Sequence, residues 1–181
     1  STVMVVGCGA VGSFAIEALA RSGVGHIIIV DFDVVEESNI NRQLFALGST
    51  LRLPKVQVAA ARVYDINPLI RVDVFNLFFD SDTELSVKPD FIIDAIDSVE
   101  SKIAIIKTCK EKNIKVISSM GMANRVDPLK IKIADIFKTE VCPLAKVVRK
   151  RLRQEGIKQL KVVYSIEEAI KPSDKALGSV S

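Results

Sequence analysis

The chain has 181 residues, 49% of them hydrophobic and 26% charged, with a formal net charge of +3. This length is enough to bury one sizeable core, so we expect a single domain over residues 1–181. The apolar residues come in short runs such as VMVV and IIIV, far below the roughly 20 that cross a bilayer. With no recognisable secretory or transit signal either, the sequence favours a cytoplasmic protein without a transmembrane segment.

Short apolar runs alternate with helical patterns through the first two thirds of the chain. We predict strands at residues 2–6, 27–30, 71–75, 91–95 and 114–118, and helices at residues 10–21, 51–66 and 100–112. Pro54 falls in the first turn of the second helix, where proline is tolerated. Strands separated by helices of this length imply right-handed crossovers, so we expect a Rossmann-like, doubly wound α/β fold. Its sheet is mainly parallel, with helices on both faces.

The rhythm changes after residue 118. Residues 123–126 and 131–136 flank Asp127 and Pro128 and are predicted to form a hairpin or edge extension. Residues 143–154 form an amphipathic helix. The side chains predicted to face inward are Leu144, Val147, Val148 and Leu152. Those predicted to face outward are Lys146, Arg149, Lys150 and Arg153.

A basic segment covers residues 138–162. Its two acidic residues are Glu140 and Glu155, and its eight basic ones are Lys138, Lys146, Arg149, Lys150, Arg151, Arg153, Lys158 and Lys161. Such a block is usually a solvated helix face, and it also fits an electrostatic footprint for nucleic acid.

Three cysteines, Cys8, Cys109 and Cys142, are widely separated. The sequence contains no CxxC pair, so it predicts neither a disulfide framework nor a four-cysteine zinc site. We expect Cys8 and Cys109 to be reduced thiols in apolar surroundings. Cys142 lies near a predicted loop and is a candidate for exposure, with a catalytic role as the less favoured alternative.

The motif GCGAVG follows the first predicted strand and opens the first helix. Gly7 permits the tight turn, Gly9 lets the backbone approach a phosphate, and Gly12 allows the helix to pack closely on the strand. Asp31 ends the second strand, where a carboxylate accepts hydrogen bonds from ribose hydroxyls. These features alone fit an NAD-dependent enzyme.

Further polar residues argue against that reading. Asn39, Arg42 and Gln43 follow Asp31, and Lys55 comes directly after Pro54. Hydride transfer needs no clustered cations near the nucleotide. Cleavage between the α- and β-phosphates does, because negative charge builds up on the phosphate oxygens.

The sequence DAIDS at residues 94–98 follows the fourth predicted strand. Asp97 is placed to hold Mg²⁺ against the phosphates at the carboxyl edge of the sheet. The alternative is that the aspartates only cap the next helix, and both are compatible if Asp94 or Ser98 caps while Asp97 faces the nucleotide.

In combination, GCGAVG, VDFDVVEESNINRQ, the Pro-Lys pair and DAIDS resemble the ATP-binding core of the E1-like adenylating superfamily. This superfamily includes the ubiquitin-activating, molybdopterin-biosynthesis and thiamine-biosynthesis enzymes. The resemblance implies that a substrate carboxylate attacks the α-phosphate of Mg²⁺-bound ATP. The implied nucleotide-binding set is Gly7, Gly9, Gly12, Asp31, Asp33, Asn39, Arg42, Gln43, Lys55 and Asp97.

The same resemblance implies individual roles. Gly9 and Gly12 would lie under the phosphates, and Asp31 would bind the ribose. Arg42, Lys55 and Asp97 would be catalytic, with Arg42 near the phosphate chain beside Asn39. Lys55 would neutralise the α- and β-phosphates, and Asp97 would hold the metal.

Residues 135–172 are similar to the tRNA threonylcarbamoyladenosine dehydratases, and the CxxC pairs typical of enzymes that activate sulfur carriers are absent. This resemblance implies ATP-dependent cyclisation of a modified adenosine beside the tRNA anticodon. The predicted tRNA contacts are Arg125, Lys146, Arg149, Lys150 and Arg153. A zinc-free enzyme that activates a sulfur-carrier or ubiquitin-like protein is the alternative, and an NAD-dependent oxidoreductase the more remote one.

The resemblance also predicts a homodimer, no zinc, and a sulfur-transfer protein as a candidate partner. In the superfamily, a helix ahead of the first strand supplies an arginine to the partner subunit's ATP, and relatives continue beyond the equivalent of GSVS. We therefore expect this sequence to be a piece of a longer protein.

Overall fold

The computed structural model describes residues 1–84 and 87–170. Its strands are β1 (Thr2–Val6), β2 (His26–Asp31), β3 (Arg71–Asn76), β4 (Phe91–Asp94), β5 (Lys115–Ser119), β6 (Ile131–Asp135) and β7 (Lys161–Ser165). Its α-helices are α1 (Ala10–Arg21), α2 (Lys55–Ile66), α3 (Val99–Glu111) and α4 (Pro143–Gln154). Within this part of the chain, the strands form one sheet in the order β3-β2-β1-β4-β5-β7-β6.

The sheet is parallel except at one edge. All neighbouring strands from β3 to β7 run parallel, and only β6 pairs antiparallel, with β7. Val6 is in register with Val30 on one side and Asp94 on the other, so the carboxyl ends of the central strands lie at one edge. The predicted doubly wound α/β fold is confirmed. Its functional residues are expected at this edge, where ligands bind in open α/β sheets.

Alternating side chains of the central strands support helices on both faces. Val5 packs with Ile16 of α1 and Ala59 of α2, whereas Met4 packs on the opposite face with Ile105 of α3. Strands buried on both sides need continuous apolar runs, which explains the VMVV and IIIV segments. A third cluster packs α3 against α4 and β7, through residues such as Ile106, Val148 and Val162.

The predicted hairpin is wrong. Residues 123–126 form no strand, and the antiparallel partner of β6 is β7, which follows α4. The backbone of residues 126 and 127 is instead fixed by Glu167, whose carboxylate accepts from Val126 N at 3.1 Å and from Asp127 N at 2.9 Å. Asp127 then caps a short 3₁₀ turn by accepting from Leu129 N. These side-chain hydrogen bonds satisfy backbone N–H groups that would otherwise pair with a neighbouring strand.

Two smaller expectations also change. Helix α2 begins at Lys55 rather than at residue 51, with Pro54 just ahead of it. Val147 is 48% exposed, because the buried stripe of α4 runs through Ala145, Val148 and Leu152. That stripe follows the three- and four-residue spacing of one helix face, and Val147 lies outside it.

Residues 171–181 of the predicted domain, including the end of the segment at residues 135–172, lie outside the described residues. Across residues 1–84 and 87–170, none of the helices has both the length and the apolar character needed to cross a membrane.

Candidate nucleotide-binding site

A cavity of about 440 Å³ lies at the carboxyl edge of the parallel strands. Its walls come mainly from the segments that follow β1, β2, β3, β4 and β5. Nine of the ten residues predicted to bind the nucleotide line it, namely Gly7, Gly9, Asp31, Asp33, Asn39, Arg42, Gln43, Lys55 and Asp97. Gly12 does not line the cavity. The fold therefore gathers residues that are up to 90 positions apart in the chain, from Gly7 to Asp97.

Gly7 and Gly12 make the turn between β1 and α1 compact. Gly7 has a φ of +98°, which residues with a side chain rarely adopt. A Cβ added at Gly12 would lie 1.7 Å from the Gly7 carbonyl oxygen. Helix α1 therefore begins directly against the turn, as its predicted packing role requires. Gly9 is more open, since a Cβ there would meet its nearest neighbour, Gln43 Nε2, at 3.8 Å.

The Asp31 carboxylate joins the glycine turn to the loop after β2. Asp31 Oδ2 accepts from Cys8 N at 2.6 Å, and Asp31 Oδ1 accepts from Asp33 N at 2.8 Å. Each carboxylate oxygen has further lone pairs, so these two bonds fix its orientation while leaving acceptors for a ligand.

Lys55 is the first residue of α2, and its ammonium is largely buried. Lys55 Nζ donates to Asp33 Oδ2 at 2.8 Å, with side chains 8% and 47% exposed respectively. A cation at a helix N-terminus is electrostatically unfavourable, and the Asp33 carboxylate offsets that cost. The pair places a positive charge on the cavity wall beside a carboxylate that remains in water.

Asn39, Arg42 and Gln43 lie on one turn of the loop that leads to α2. Asn39 and Gln43 are buried, and Asn39 Oδ1 accepts from Glu36 N at 3.1 Å. Arg42 Nη1 donates to Ser38 O at 2.8 Å and to the Asn41 side chain at 2.9 Å. The loop thus holds a guanidinium and two amides at the cavity.

The two aspartates of DAIDS, at the end of β4 and in the loop after it, lie in different environments. Ser98 caps α3, with its hydroxyl accepting from Ser101 N at 3.4 Å, and Asp97 is exposed at the cavity. Asp94 does not cap the helix. Its carboxylate is buried and contacts Lys102 Nζ at 3.0 and 3.1 Å.

Sequence reasoning missed several residues of the cavity. Phe32 and Phe78 meet edge to face at the rim, with ring centroids 5.1 Å apart and side chains about half exposed. Residues 119–123 and Leu144 form the wall away from Lys55. Phe32 carried a usable signal, since it is an apolar residue between two predicted ligand-binding aspartates.

The predicted tRNA-binding residues fall into two groups. Arg125 donates to Glu167 O at 2.8 Å and Ala123 O at 2.9 Å, and Arg149 donates to Thr139 O at 2.8 Å, so both hold loops. The other three, Lys146, Lys150 and Arg153, are exposed on α4. Arg153 also lies 5.5 Å from the centre of the Phe137 ring.

All three cysteines are buried and free. Burial, with the Asp31 charge as a smaller contribution, raises the pKa of Cys8 well above its ordinary value. Burial also raises the pKa of Cys109 to about 12. Cys142 is 3% exposed with its thiol 3.8 Å from Gly121 O, so its expected exposure is wrong. It is buried because it packs between α4 and the 119–123 wall.

The fold and the site together define an α/β protein with a glycine turn, an aspartate at the end of β2 and cations around a cavity at the carboxyl edge of its sheet. The ThiF family model matches residues 1–163, and the chain belongs to this family.

Named relatives agree with this assignment. The chain is 50% identical over 174 residues to the tRNA threonylcarbamoyladenosine dehydratase of Bacillus subtilis, covering 94% of this chain and 68% of the relative. The chain is 42% identical to the tRNA threonylcarbamoyladenosine dehydratase of Escherichia coli, over 84% of this chain and 58% of that relative. The crystal structure of the E. coli enzyme in complex with ATP superposes with a TM-score of 0.92 at 38% identity. That match covers 95% of this chain and 75% of the other.

Proposed function

We propose that this protein is an ATP-dependent adenylating enzyme that acts as a tRNA threonylcarbamoyladenosine dehydratase. The observation that carries the proposal is the cavity. The cationic side chains of Arg42 and Lys55 line it together with the glycine turn and Asp31. Hydride transfer builds up no negative charge on the phosphates of NAD, so an NAD-dependent oxidoreductase does not require these cations. A relative with this enzyme's name is 50% identical, and a solved structure of such an enzyme contains ATP.

The first step is attack by a carboxylate oxygen of the threonyl group on the α-phosphorus of ATP. A P–O bond forms to the carboxylate, and the bond to the β-phosphate oxygen breaks with its electron pair, releasing pyrophosphate. Lys55 and Arg42 stabilise the negative charge that develops on the phosphate oxygens. Asp31 holds the ribose, and the backbone at Gly9 approaches the phosphates.

The second step closes a ring within the substrate. A nucleophile of the carbamoyl group attacks the activated acyl carbon and gives up its proton to solvent, and AMP leaves with the electron pair of the acyl–oxygen bond. The nucleoside loses one water overall, while ATP becomes AMP and pyrophosphate. This route needs no cysteine nucleophile and no acceptor protein, in agreement with the burial of Cys142.

The described residues fit a Mg²⁺ ion that is shared with the substrate. No group of three His, Cys, Asp or Glu side chains in residues 1–84 and 87–170 could hold a metal by itself. Mg²⁺ usually takes one or two carboxylates with phosphates and waters, and exposed Asp97 at the cavity is such a carboxylate. When bound, the ion would neutralise phosphate charge.

We assign tRNA binding to the exposed basic face of α4. Lys146, Lys150 and Arg153 project from a helix whose opposite stripe is buried, so their positive charges are presented to solvent. Such a face attracts the phosphate backbone without regard to sequence. The predicted roles of Arg125 and Arg149 in tRNA binding are less direct, because both guanidinium groups hold loops.

Activation of a sulfur-carrier or ubiquitin-like protein remains the second candidate. A molybdopterin-synthase adenylyltransferase from Haemophilus influenzae is 33% identical over 129 residues, covering 70% of this chain. That identity is lower than for the dehydratases, and the chain lacks CxxC pairs. Homodimerisation, a sulfur-transfer partner, a cytoplasmic location and a single domain over residues 1–181 stay predictions.

Nucleoside mass analysis tests the proposal. The protein is incubated with ATP, Mg²⁺ and tRNA that contains threonylcarbamoyladenosine. The expected result is loss of one water from that nucleoside with one AMP formed per event. Omission of ATP and replacement of ATP by NAD are the controls. Adenylation of a carrier protein's C-terminus without any change in the tRNA would favour the second candidate.

A further inference from the structure

A buried ion pair lies directly beneath the cavity. Lys102 of α3 and Asp94 at the end of β4 are both 0% exposed, and Lys102 Nζ lies 3.0 Å from Asp94 Oδ2. Lys102 Nζ also donates to Ser119 O at 2.7 Å and approaches Ser118 Oγ at 3.4 Å. The Ser118 hydroxyl in turn donates to Asp94. One ammonium therefore joins α3, the end of β4 and the end of β5.

This network begins where the strand pairing ends. Asp94 and Ser118 are the last residues in register between β4 and β5. Beyond them, residues 95–98 and residues 119–123 separate from each other and line the cavity. Asp94 Oδ1 accepts from Ile96 N at 3.3 Å, and the Ser119 carbonyl is held by Lys102. Each loop start is still bonded to its other neighbouring strand, Ala95 N to Val6 O at 2.8 Å and Met120 N to Val163 O at 2.8 Å. The pair thus ties the two loop starts to each other, after the pairing between β4 and β5 has ended.

Stability alone does not account for such a pair. Desolvating two charges costs several kcal/mol per ion, and apolar residues of similar volume are often as stabilising or more so. The surrounding positions are indeed apolar, with Ile103, Ile105 and Ile106 all buried on the same helix. The specific geometry of the bonds to the loop backbones is what an apolar replacement could not supply.

We infer that the Lys102–Asp94 pair is a positioning device for the adenylation site. It fixes the loop that carries Asp97, and the 119–123 wall opposite Lys55. This inference rests on the proposed function, because it assigns the two loops to binding of the metal and the acyl substrate. Lys102 and Asp94 are fully buried and do not line the cavity, so neither is a catalytic residue.

The central test compares two lysines of the same helix. Lys102→Met removes the buried ammonium at similar volume. Lys107→Met makes the same change at an exposed ion pair, where Lys107 Nζ lies 2.8 Å from Glu155 Oε2. Since Lys102→Met leaves a buried carboxylate without its partner, the double variant Asp94→Asn/Lys102→Met is the fold-preserving form. Its amide still accepts from Ile96 N and carries no charge.

Hydrogen exchange of the backbone amides is the readout that does not depend on activity. In the double variant, peptides covering residues 95–98 and 119–123 should exchange about tenfold faster, while peptides of β1 and β2 stay as in the parent. Lys107→Met should leave both loops unchanged. Unchanged exchange of both loops in a folded double variant would overturn the inference.

Kinetics separate positioning from nucleotide binding. The maximal rate of ATP–pyrophosphate exchange should fall about 10- to 100-fold in the double variant, as expected when reacting groups are displaced by about 1 Å. The Mg²⁺ concentration for half-maximal rate should rise. The KM for ATP should change by less than about twofold, because the hydrogen bonds that hold Asp31 and Lys55 come from outside the two loops.

A parental maximal rate and Mg²⁺ dependence in the double variant would contradict the inference. If the parent protein itself shows neither exchange nor dehydration, the proposed function fails. The hydrogen-exchange comparison still decides whether the pair holds the loops.

Discussion

Lys55 Nζ and Asp33 Oδ2 lie 2.8 Å apart at the mouth of the cavity, with the lysine buried and the aspartate nearly half exposed. Asp33 also accepts through its backbone, since Lys55 N donates to Asp33 O at 3.0 Å. The loop after β2 and the start of α2 are therefore tied together twice. A carboxylate in contact with water can exchange this partner for solvent when a phosphate approaches the ammonium.

Replacement of that ammonium should strongly slow adenylation without unfolding the protein. We expect Lys55→Ala to lower the rate of ATP–pyrophosphate exchange by about 10²- to 10³-fold, the usual cost of removing one group that stabilises transition-state charge. The melting temperature should change little, because Asp33 stays solvated. Lys110→Ala, at an exposed position of α3, is the control. An unchanged exchange rate would remove Lys55 from the catalytic set.

Two glycines of the turn should have different roles, Gly12 in folding and Gly9 in nucleotide binding. Gly12→Ala places a Cβ 1.7 Å from the Gly7 carbonyl oxygen, so we expect a loss of about 1–3 kcal/mol or more in the free energy of unfolding. Gly9→Ala meets only ordinary contacts and should fold, yet its methyl group occupies space that a phosphate needs. ATP-induced thermal stabilisation should then be lost.

Gly48→Ala is the matched control for the glycine variants, since nothing lies within 4 Å of its added Cβ. It should retain both the melting temperature and the shift with ATP. Normal ATP stabilisation in the Gly9 variant would show that the turn does not cradle the phosphates.

The thiols should be inert in the folded protein. All three cysteines are buried, and the raised pKa values of Cys8 and Cys109 further suppress the reactive thiolate. We expect iodoacetamide to modify none of them under native conditions and all three in urea. Cys142→Ala should keep the exchange rate within about twofold, as expected for a packing residue. Rapid native labelling of Cys142 would revive a catalytic role.

Charge removal from α4 should weaken tRNA binding in a salt-dependent manner. The triple variant replaces Lys146, Lys150 and Arg153 by glutamine. If each contacts one phosphate, the slope of log K against log salt should fall by about 2–3. Filter binding at several salt concentrations measures it.

The control for this experiment removes the same charge elsewhere. Lys110, Lys112 and Lys115 are exposed near the end of α3 and the start of β5, at the edge of the sheet opposite the cavity. Their glutamine variant should keep the parental slope. Equal losses in both triple variants would indicate net charge rather than a binding face.

Acid should remove the contribution of Glu17 to the stability of the fold. Hydrogen bonds from Arg62 and Arg21 lower the pKa of Glu17 from its ordinary value of 4.5. A lowered pKa stabilises the fold above 4.5 and loses that effect as the pH falls through the folded-state value. Glu17→Gln should cost about 0.5–1 kcal/mol at pH 7, and this difference should shrink in acid. Urea unfolding of Glu17→Gln across a range of pH tests this prediction. Glu168→Gln, at an exposed position, is the control.

Local sequence patterns determined much of this protein. The bounds of β1, α1 and α4 were predicted to the residue, because apolar spacing, glycine and proline act locally. The grouping of nine of the ten predicted site residues around one cavity was also predictable, since GCGAVG and the residues after it follow strands whose carboxyl ends must meet. Fold class follows from the alternation of strands and helices.

Only the tertiary structure decided the rest. The pairing of β6 with β7 depends on a crossover through α4, and the role of Glu167 depends on a contact 41 residues away. Lys102 did carry a signal, since it shares an apolar stripe with Ile105, Ile106 and Cys109. A lysine in such a stripe needs a buried partner, and spacing along the chain cannot name it. Long-range packing brought Asp94 to Lys102 and thereby set the loops of the cavity.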